Sequence, residues 1–331
     1  MGDRRGAEQG GDHPGAVRGL AHTPIPAVQH WTVDQDSAGQ RLDNVLLRLL
    51  KGVPKTHVYR VIRSGEVRVN KGRAAADTRV AAGDTIRLPP VRMAAPRDND
   101  APAREFPVLF EDDWLLAINK PAGVAVHGGS GVSFGVIEQL RQSRPTATFL
   151  ELVHRLDKET SGVLLLAKKR SALVALQDQF RERDTSKTYA ALVFGVWPKS
   201  LKVIDQALHK TLDAVGERHV KVVNATHADG RRSITLIKAQ RTVGPCSLLD
   251  VTLKTGRTHQ IRVHLASNGH PIVGDPKYGD FGRNKAFAKG QRFSRMFLHA
   301  RELAFDHPAS GERITLPAAL PIDCETLLQQ L

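Results

Sequence analysis

Apolar residues near the start of the chain recur with helical spacing. A first apolar face is predicted from positions i, i+3, i+4, i+7 and i+8, namely Leu42, Val45, Leu46, Leu49 and Leu50. Gly52 is expected to end this helix, and Pro54 suits the first turn of a second one. The apolar side of the second helix carries Val58, Val61 and Ile62. Gly65 then predicts a turn into the alternating strand 67–70.

From about residue 106 the pattern changes to short apolar runs and alternating stretches, which are typical of strands. Five apolar residues at 163–167 follow a polar turn and predict a buried central strand. Further strands are predicted at 108–110, 115–118, 186–195, 220–224, 233–239, 247–253 and 296–305. Helices are predicted at 134–141 with a Ser133 cap, at 170–183, in a segment ending at Gly269, and at the C-terminus. Many strands with few helices favour an α+β fold on a mainly antiparallel mixed sheet.

The same patterns divide the chain. Residues 1–30 are rich in Gly, His, Pro and Ala without periodicity, and are expected to be a disordered leader. Residues 31–92 form a predicted small domain, and residues 93–104 a linker rich in Pro, Ala and charge. Residues 105–331 form the predicted larger domain.

Charge narrows the choice of partner. A net charge of +14 and a pI of about 10.1 favour a polyanion, either nucleic acid or a membrane surface. No stretch reaches 18 consecutive apolar residues and no lipidation signal is evident, so nucleic acid is the better interpretation. Two distant cysteines, Cys246 and Cys324, and the lack of a signal peptide predict a reduced cytoplasmic protein with both thiols in the core.

A polar turn, HRLDKETSG, leads directly into the predicted central strand. Such a turn would be rigid and would hold Asp157 beside Arg155 at the edge of the core. Taken alone, a charged turn of this kind is more often a solvated surface loop.

Four longer segments change that interpretation, because together they resemble the RluA family of RNA pseudouridine synthases, in the family's order. They are INKPAGVAVHGGSGVSFGVIEQLR, LVHRLDKETSGVLLLAKK, TGRTHQIRVHLASNGHPIVGDPKYG and FLHARELAFDHPASGE. Residues 41–73 resemble the alpha-L (S-four type) RNA-binding motif. The resemblance runs from about Gln40 to the C-terminus and is closest to the RluC-type subgroup, which modifies large-subunit ribosomal RNA.

This resemblance implies a pseudouridine synthase fold and the isomerisation of specific uridines in large-subunit (23S-type) ribosomal RNA. Asp157 would be the nucleophile or base, Arg262 its cationic partner, and Tyr189 the residue that stacks on the extracted uracil. Arg155 would fill the gap that the extruded base leaves. The reaction is redox-neutral and adds no group, so neither a cofactor nor a metal is expected. The chain is expected to act as a cytoplasmic monomer on ribosomal RNA, away from membranes.

Basic residues outside this set are predicted to bind RNA phosphates. Residues 41–73 contain nine Lys or Arg and two acids, and residues 282–295 contain five cations, no acid and two Phe. The second segment is expected to be a loop that orders on RNA. The predicted RNA-binding residues are Arg155, Arg41, Lys51, Lys55, Arg60, Arg63, Arg68, Lys71, Arg257, Arg283, Lys285, Lys289 and Arg292.

Three alternatives stay open. The chain could be a catalytically silent ribosome-assembly factor, although Asp157, Tyr189 and Arg262 are all present. It could perform the same chemistry on tRNA. A glycosidase-like hydrolase would need a second carboxylate, for which Glu159 is a weak candidate.

Overall fold

The computed structural model describes residues 27–35, 37–50, 53–91, 101–129, 132–212 and 218–331. The described residues form two compact units, which divide between residues 91 and 101. Most of the predicted leader and linker, together with Lys51 and Gly52, lies outside the described residues. None of the described helices has the length and apolar content needed to cross a bilayer.

The N-terminal unit packs two helices on a small sheet. Its elements are β1 (Gln29–Thr32), α1 (Leu42–Leu49), α2 (Lys55–Arg63), β2 (Arg68–Val69) and β3 (Thr85–Leu88). The strands pair antiparallel in the order β1-β3-β2. The predicted apolar faces of both helices are confirmed, since Val45, Leu46, Val58 and Val61 have no exposed surface.

The C-terminal unit is built on one large sheet. Its strands are β4 (Val108–Glu111), β5 (Leu115–Lys120), β6 (Glu151–Leu152), β7 (Ser161–Ala167), β8 (Ser186–Phe194), β9 (Val203–Leu212), β10 (Arg218–Val223), β11 (Arg231–Val243), β12 (Cys246–Leu253), β13 (Leu298–Asp306) and β14 (Arg313–Pro317). Its helices are α3 (Val136–Ser143), α4 (Arg170–Glu182), α5 (Gln260–Ser267), α6 (Phe281–Gln291) and α7 (Ile322–Gln330).

The strand order is β10-β9-β11-β12-β8-β13-β7-β5-β4, with β14 paired to β13 and β6 paired to β7. Strands β7 and β13 pair in parallel, and the other paired strands are antiparallel. The predicted mainly antiparallel mixed sheet is therefore confirmed.

Strand β7 is the buried central strand that the sequence predicts. Leu164 and Leu166 pack in the core cluster on one face, and Val163 and Leu165 pack in the cluster on the other. Because both faces are covered, the strand shows a continuous apolar run rather than alternation. Both cysteines are buried and unpaired, as expected.

Several local predictions differ from the structure in the bounds of a segment, in a missed strand or in the capping residue. β1 begins at Gln29, inside the predicted leader, and the sequence predicts neither β9 nor β14. Helix α3 is capped by Gly135, whose backbone N–H donates to the Glu138 carboxylate, and not by Ser133. At the predicted linker's end, Ala101 is 7% exposed and the Arg104 N–H donates to the Gln139 carbonyl.

The predicted RNA-ordered loop 282–295 is a larger correction, because most of it is helix α6, packed on the core. The Asp280 side chain accepts a hydrogen bond from the Arg283 N–H at 2.9 Å and caps the helix. Phe293 is 5% exposed, and Phe287 packs edge-on against Phe194. The aromatic residues of this segment therefore pack in or against the core.

A close approach of two strands fixes the position of the polar turn before β7. Gly162 has a φ of +112° and pairs with Ala300 of β13. A Cβ atom at Gly162 would overlap the Ala300 carbonyl oxygen. This parallel contact therefore requires glycine, both for its conformation and for space.

We expect Gly162→Ala to lower the free energy of unfolding by on the order of 3 kcal/mol, because a strained backbone and an overpacked strand pair add together. Urea unfolding measures the change. The matched control is Gly290→Ala in α6, where no atom other than those of the neighbouring residues and the backbone of the same helix lies within 4 Å of the added Cβ. That control should be neutral or stabilising by up to about 1 kcal/mol. Equal unfolding curves for Gly162→Ala and the native chain would contradict this account.

Candidate active site

The turn that carries Asp157 is held from both ends. The Leu165 N–H donates to His154 Nε2 at 3.1 Å, and the His154 ring stacks on Phe180 with centroids 4.9 Å apart. Burial lowers the pKa of His154 to about 4, so it is a neutral acceptor. The Thr160 N–H donates to the Asp157 carbonyl at 3.1 Å. The Asp157 side chain is left 31% exposed at the edge of the core.

Arg262 on α5 contacts Asp157, although the two residues are 105 positions apart in the sequence. Its Nη1 donates to Asp157 Oδ2 at 3.1 Å, and its side chain is only 6% exposed. The arginine binds one oxygen of this carboxylate rather than both, so it does not cover the group. The predicted pair of Asp157 and Arg262 is thus brought together, on a carboxylate that a ligand can still reach.

A second carboxylate, Asp275, holds the other side of the guanidinium. Arg262 Nε and Nη2 donate to its two oxygens at 2.8 Å each. Asp275 is 1% exposed and also accepts the backbone N–H groups of Lys277 and Tyr278 at 2.8 and 3.0 Å. Burial alone would raise the Asp275 pKa, but its hydrogen bonds and charge interaction with Arg262 lower it.

The resulting three-residue network is charged. Burial by itself would lower the pKa of Arg262, but hydrogen bonds and charge from Asp275, and then from Asp157, raise it. The planar guanidinium is therefore held on two sides, with two bonds to Asp275 and one to Asp157. The sequence does not point to Asp275, which lies 13 residues beyond Arg262.

Tyr189 lies on β8 next to this network. It is 8% exposed, and its pKa is raised first by burial and then by the negative charge of Asp157. It also packs in the main core cluster. The three predicted catalytic residues therefore share one region of the C-terminal unit.

His259 lies close to Asp157, and Tyr278 contacts His259. His259 Nε2 lies 3.9 Å from Asp157 Oδ2, and its Nδ1 hydrogen-bonds with the Tyr278 hydroxyl at 2.8 Å. Burial lowers the pKa of His259, although Asp157 opposes that shift. The Tyr278 ring faces the Arg262 guanidinium at 5.0 Å.

Lys120, at the end of β5, is a second residue to which the sequence does not point. It has no exposed surface, and its Nζ donates to the carbonyls of Pro121, Val124 and Lys158 at 2.9, 2.8 and 3.1 Å. Burial lowers its pKa to about 7, with Glu159 and Asp157 opposing the shift. Because Lys158 follows Asp157 directly, this amine fixes the backbone next to the carboxylate.

Comparison with known proteins agrees with this geometry. Residues 114–267 match the family described as RNA pseudouridylate synthase, and residues 40–86 match the S4 domain. The chain is 48% identical over 317 residues to the ribosomal large subunit pseudouridine synthase C of Haemophilus influenzae, covering 92% of this chain and 95% of that protein. The chain belongs to the RNA pseudouridylate synthase family.

Two further comparisons support the assignment of this synthase. The ribosomal large subunit pseudouridine synthase C of Escherichia coli strain K12 is 47% identical over 318 residues, covering 93% of this chain and 98% of that protein. The solved structure of human RNA pseudouridylate synthase domain containing 4 is 28% identical with a TM-score of 0.56. It covers 68% of this chain and 92% of that chain. The predicted family, fold and N-terminal domain type are confirmed.

The cations predicted to bind RNA lie on both units of the synthase. Those described are exposed, apart from half-buried Arg68: Arg41, Lys55, Arg60, Arg63, Lys71, Arg155, Arg257, Arg283, Lys285, Lys289 and Arg292. Some have internal partners. Arg41 pairs with buried Asp43 at 2.8 Å, and the Arg283 guanidinium lies over the Phe194 ring at 4.2 Å. Their contact with RNA stays a prediction.

One cluster in the described part of the synthase has the composition of a metal site. His209, His227 and Asp229 place one ligand atom each within 4.8 Å of one another. However, His227 Nδ1 accepts the Asp229 N–H at 3.2 Å, so the proton lies on Nε2 and opposes ligation there. None of these three residues belongs to the network of Asp157, Arg262 and Asp275.

We expect Asp275→Asn to lower the free energy of unfolding by about 3–5 kcal/mol, because it removes one partner of a buried ion pair. Turnover should fall with it, since Arg262 loses the group that aims it at Asp157. Urea unfolding and a single-turnover assay measure the two effects. The control is Asp205→Asn, which breaks an exposed pair with Arg232 and should leave both unchanged. Equal losses in the two variants would show that burial is not the cause.

Proposed function

We propose that this RNA pseudouridine synthase converts specific uridines of large-subunit ribosomal RNA into pseudouridine, with Asp157 as the reacting carboxylate. The observation that carries the proposal is the hydrogen bond from buried Arg262 to Asp157 Oδ2, on a carboxylate that keeps 31% of its surface exposed. The substrate class follows from relatives named for the large ribosomal subunit, which match over nearly the whole chain. The synthase acts as a cytoplasmic monomer in this proposal.

The chemistry needs one anionic group at the sugar–base junction. Uracil must leave the anomeric carbon, rotate, and rejoin the ribose through carbon. Asp157 either attacks the anomeric carbon or removes the 2′ proton, and in both routes its negative charge must be maintained. Arg262 supports that charge from a position where Asp275 prevents it from moving away. No electrons and no group enter or leave, so the residues present suffice.

Tyr189 and Arg155 are assigned to the base. The position of Tyr189 beside Asp157 supports contact with the detached uracil, and stacking would hold a base without fixing its rotation. Since the tyrosine is only 8% exposed, this contact is limited to a small part of the ring. Arg155 is exposed on the same turn as Asp157 and can occupy the space that an extruded base leaves.

The geometry argues against one form of the hydrolase alternative, in which Asp275 is the second carboxylate; a hydrolase that uses Glu159 is distinguished by assay. A glycosidase needs a second carboxyl group free to act on the leaving oxygen. Asp275 is the carboxylate that shares Arg262 with Asp157, but it is 1% exposed and both its oxygens bind the guanidinium. It cannot serve as that acid. A silent assembly factor or a synthase for tRNA is distinguished by assay.

We expect Asp157→Asn to abolish turnover, with a fall of several orders of magnitude, on the order of 4 kcal/mol or more in the barrier. Asparagine is nearly isosteric but cannot act as an anionic nucleophile or base. The measurement is tritium release from C5-tritiated uridine in large-subunit ribosomal RNA, with filter binding in parallel. Near-native tritium release from a variant that binds RNA normally would refute the role. Native tritium release from tRNA, and none from ribosomal RNA, would overturn the substrate assignment.

The N-terminal unit should add affinity without chemistry. Lys55, Arg63 and Lys71 are exposed cations for which the described residues provide no carboxylate partner. Replacing all three with glutamine should lower the slope of log affinity against log salt by roughly 0.7–0.9 for each phosphate that is no longer neutralised. Single-turnover rates at saturating protein should stay the same. The slope is measured by filter binding across a potassium chloride series.

A control variant separates specific contact from overall charge. Arg181, Lys199 and Lys238 are exposed cations of the C-terminal unit for which the sequence predicts no RNA contact. Their replacement with glutamine changes the net charge equally and should alter the slope less. Identical slopes for the two triple variants would contradict a dedicated role for the N-terminal unit.

A further inference from the structure

One buried hydroxyl in the C-terminal unit has no partner. Thr185, between α4 and β8, is 7% exposed, and its Oγ1 is inaccessible. Among the described residues, it is the buried side-chain nitrogen or oxygen atom left without a hydrogen bond. Buried polar groups are almost always satisfied, so the exception calls for an explanation, and a partner from outside the chain is one. Because Oγ1 is inaccessible, Thr185 would have to rotate about χ1 to turn its hydroxyl toward such a partner.

Thr185 lines a small polar cavity of about 180 Å³. The charged side chains around it are Arg183, Lys187, Lys254, Arg313 and Asp184. The lining therefore includes four cationic side chains and one carboxylate. The cavity is smaller than the roughly 300 Å³ at which drug-sized ligand pockets begin, so a compact anionic group suits it better than a whole nucleotide.

The cations differ in how far they are already neutralised. Arg313 donates to the Asp306 carboxylate at 3.0 Å and to the Asp184 carbonyl at 2.9 Å. Lys187 lies over the Phe180 ring at 4.8 Å, and burial lowers its pKa. Arg183 and Lys254 have no carboxylate partner in the described chain. The positive charge that remains is what an entering anion would meet.

The cavity lies beside the candidate active site in the topology of the sheet. Thr188 of β8 pairs with Thr252 of β12, and both strands line the cavity at this end. Lys187 precedes Tyr189 by two residues, which places their Cα atoms about 7 Å apart on an extended strand. Lys254 immediately precedes the turn that leads into α5 and Arg262. An RNA strand that presents a base at Asp157 would pass close to this cavity.

We propose that the cavity binds one backbone phosphate of the RNA strand next to the target uridine, with Lys254 and Arg183 supplying charge and Thr185 a hydrogen bond. This inference rests on the proposed function, because it assumes that RNA enters at Asp157. A phosphate oxygen offers the acceptor that the Thr185 hydroxyl lacks. Phosphate contacts of this kind fix the register of the strand without reading its sequence.

The first test compares two threonines. Thr185→Val removes an unsatisfied hydroxyl at constant size, so stability should be equal or higher while RNA affinity falls about tenfold. Thr235→Val is the control, because its buried hydroxyl bonds with His264 and Gln260 at 2.8 and 2.9 Å. The control should lose stability and keep RNA affinity at temperatures where it is folded. Urea unfolding and fluorescence anisotropy with a fluorescein-labelled ribosomal RNA stem-loop measure both quantities.

The second test locates the phosphate. In the same stem-loop, each linkage flanking the target uridine is replaced in turn by a neutral methylphosphonate. One linkage should weaken binding of the native synthase severalfold, and that penalty should disappear in Lys254→Gln but persist in Lys238→Gln. Lys254→Gln should also lower the salt slope by roughly 0.7–0.9.

The outcomes separate this inference from the proposed function. If the native chain converts the stem-loop but Lys254→Gln keeps the full methylphosphonate penalty and salt slope, the phosphate site is refuted and the function stands. The same holds if Thr185→Val folds and binds as the native chain does, in which case the cavity holds water or an adventitious ion only. If the native chain neither binds nor converts any ribosomal RNA, both proposals fail.

Discussion

A guanidinium that is buried must keep its charge compensated, and Arg262 shows how this requirement organises the candidate site. Asp275 takes two of its donors and Asp157 a third, in a network where only Asp157 retains appreciable exposure. The buried carboxylate compensates the arginine, and the arginine then supports charge on the exposed one. Without Asp275, Asp157 alone would have to compensate Arg262, and Arg262 would be free to turn.

Fixing that network requires elements from distant parts of the sequence. The turn with Asp157 is held by hydrogen bonds of His154 and Lys120, and Gly162 allows β7 to approach β13 closely. Helix α5 brings Arg262 from more than 100 residues away. The contacts of Gly162 with Ala300 and of Arg262 with Asp157 are close in space but distant in sequence. The large sheet therefore holds these side chains in fixed positions relative to one another.

The packing of the C-terminal unit also explains the wrong prediction at residues 282–295. A run of cations with two glycines and no acid resembles a solvated loop, but Asp280 just before it is a good helix cap. The sequence pattern suggests that the aromatic residues in the run face RNA. They pack instead on Phe194 and Phe297, where they cover the core cluster at the end of β8. Only the exposed cations of α6 are left to meet a polyanion.

Patterns in the sequence are enough to predict the strongly periodic elements, the continuous apolar run of β7, the family and the pairing of Asp157 with Arg262. These signals are local or reside in long motifs, so they survive without coordinates. Asp275, Lys120 and Thr185 are different. An acid, a lysine and a threonine in short polar segments give no sign of burial, because their partners or the lack of them depend on chain segments that meet only after folding. Which charges are compensated, and which hydroxyl is left unsatisfied, therefore depends on how these segments meet in the folded chain.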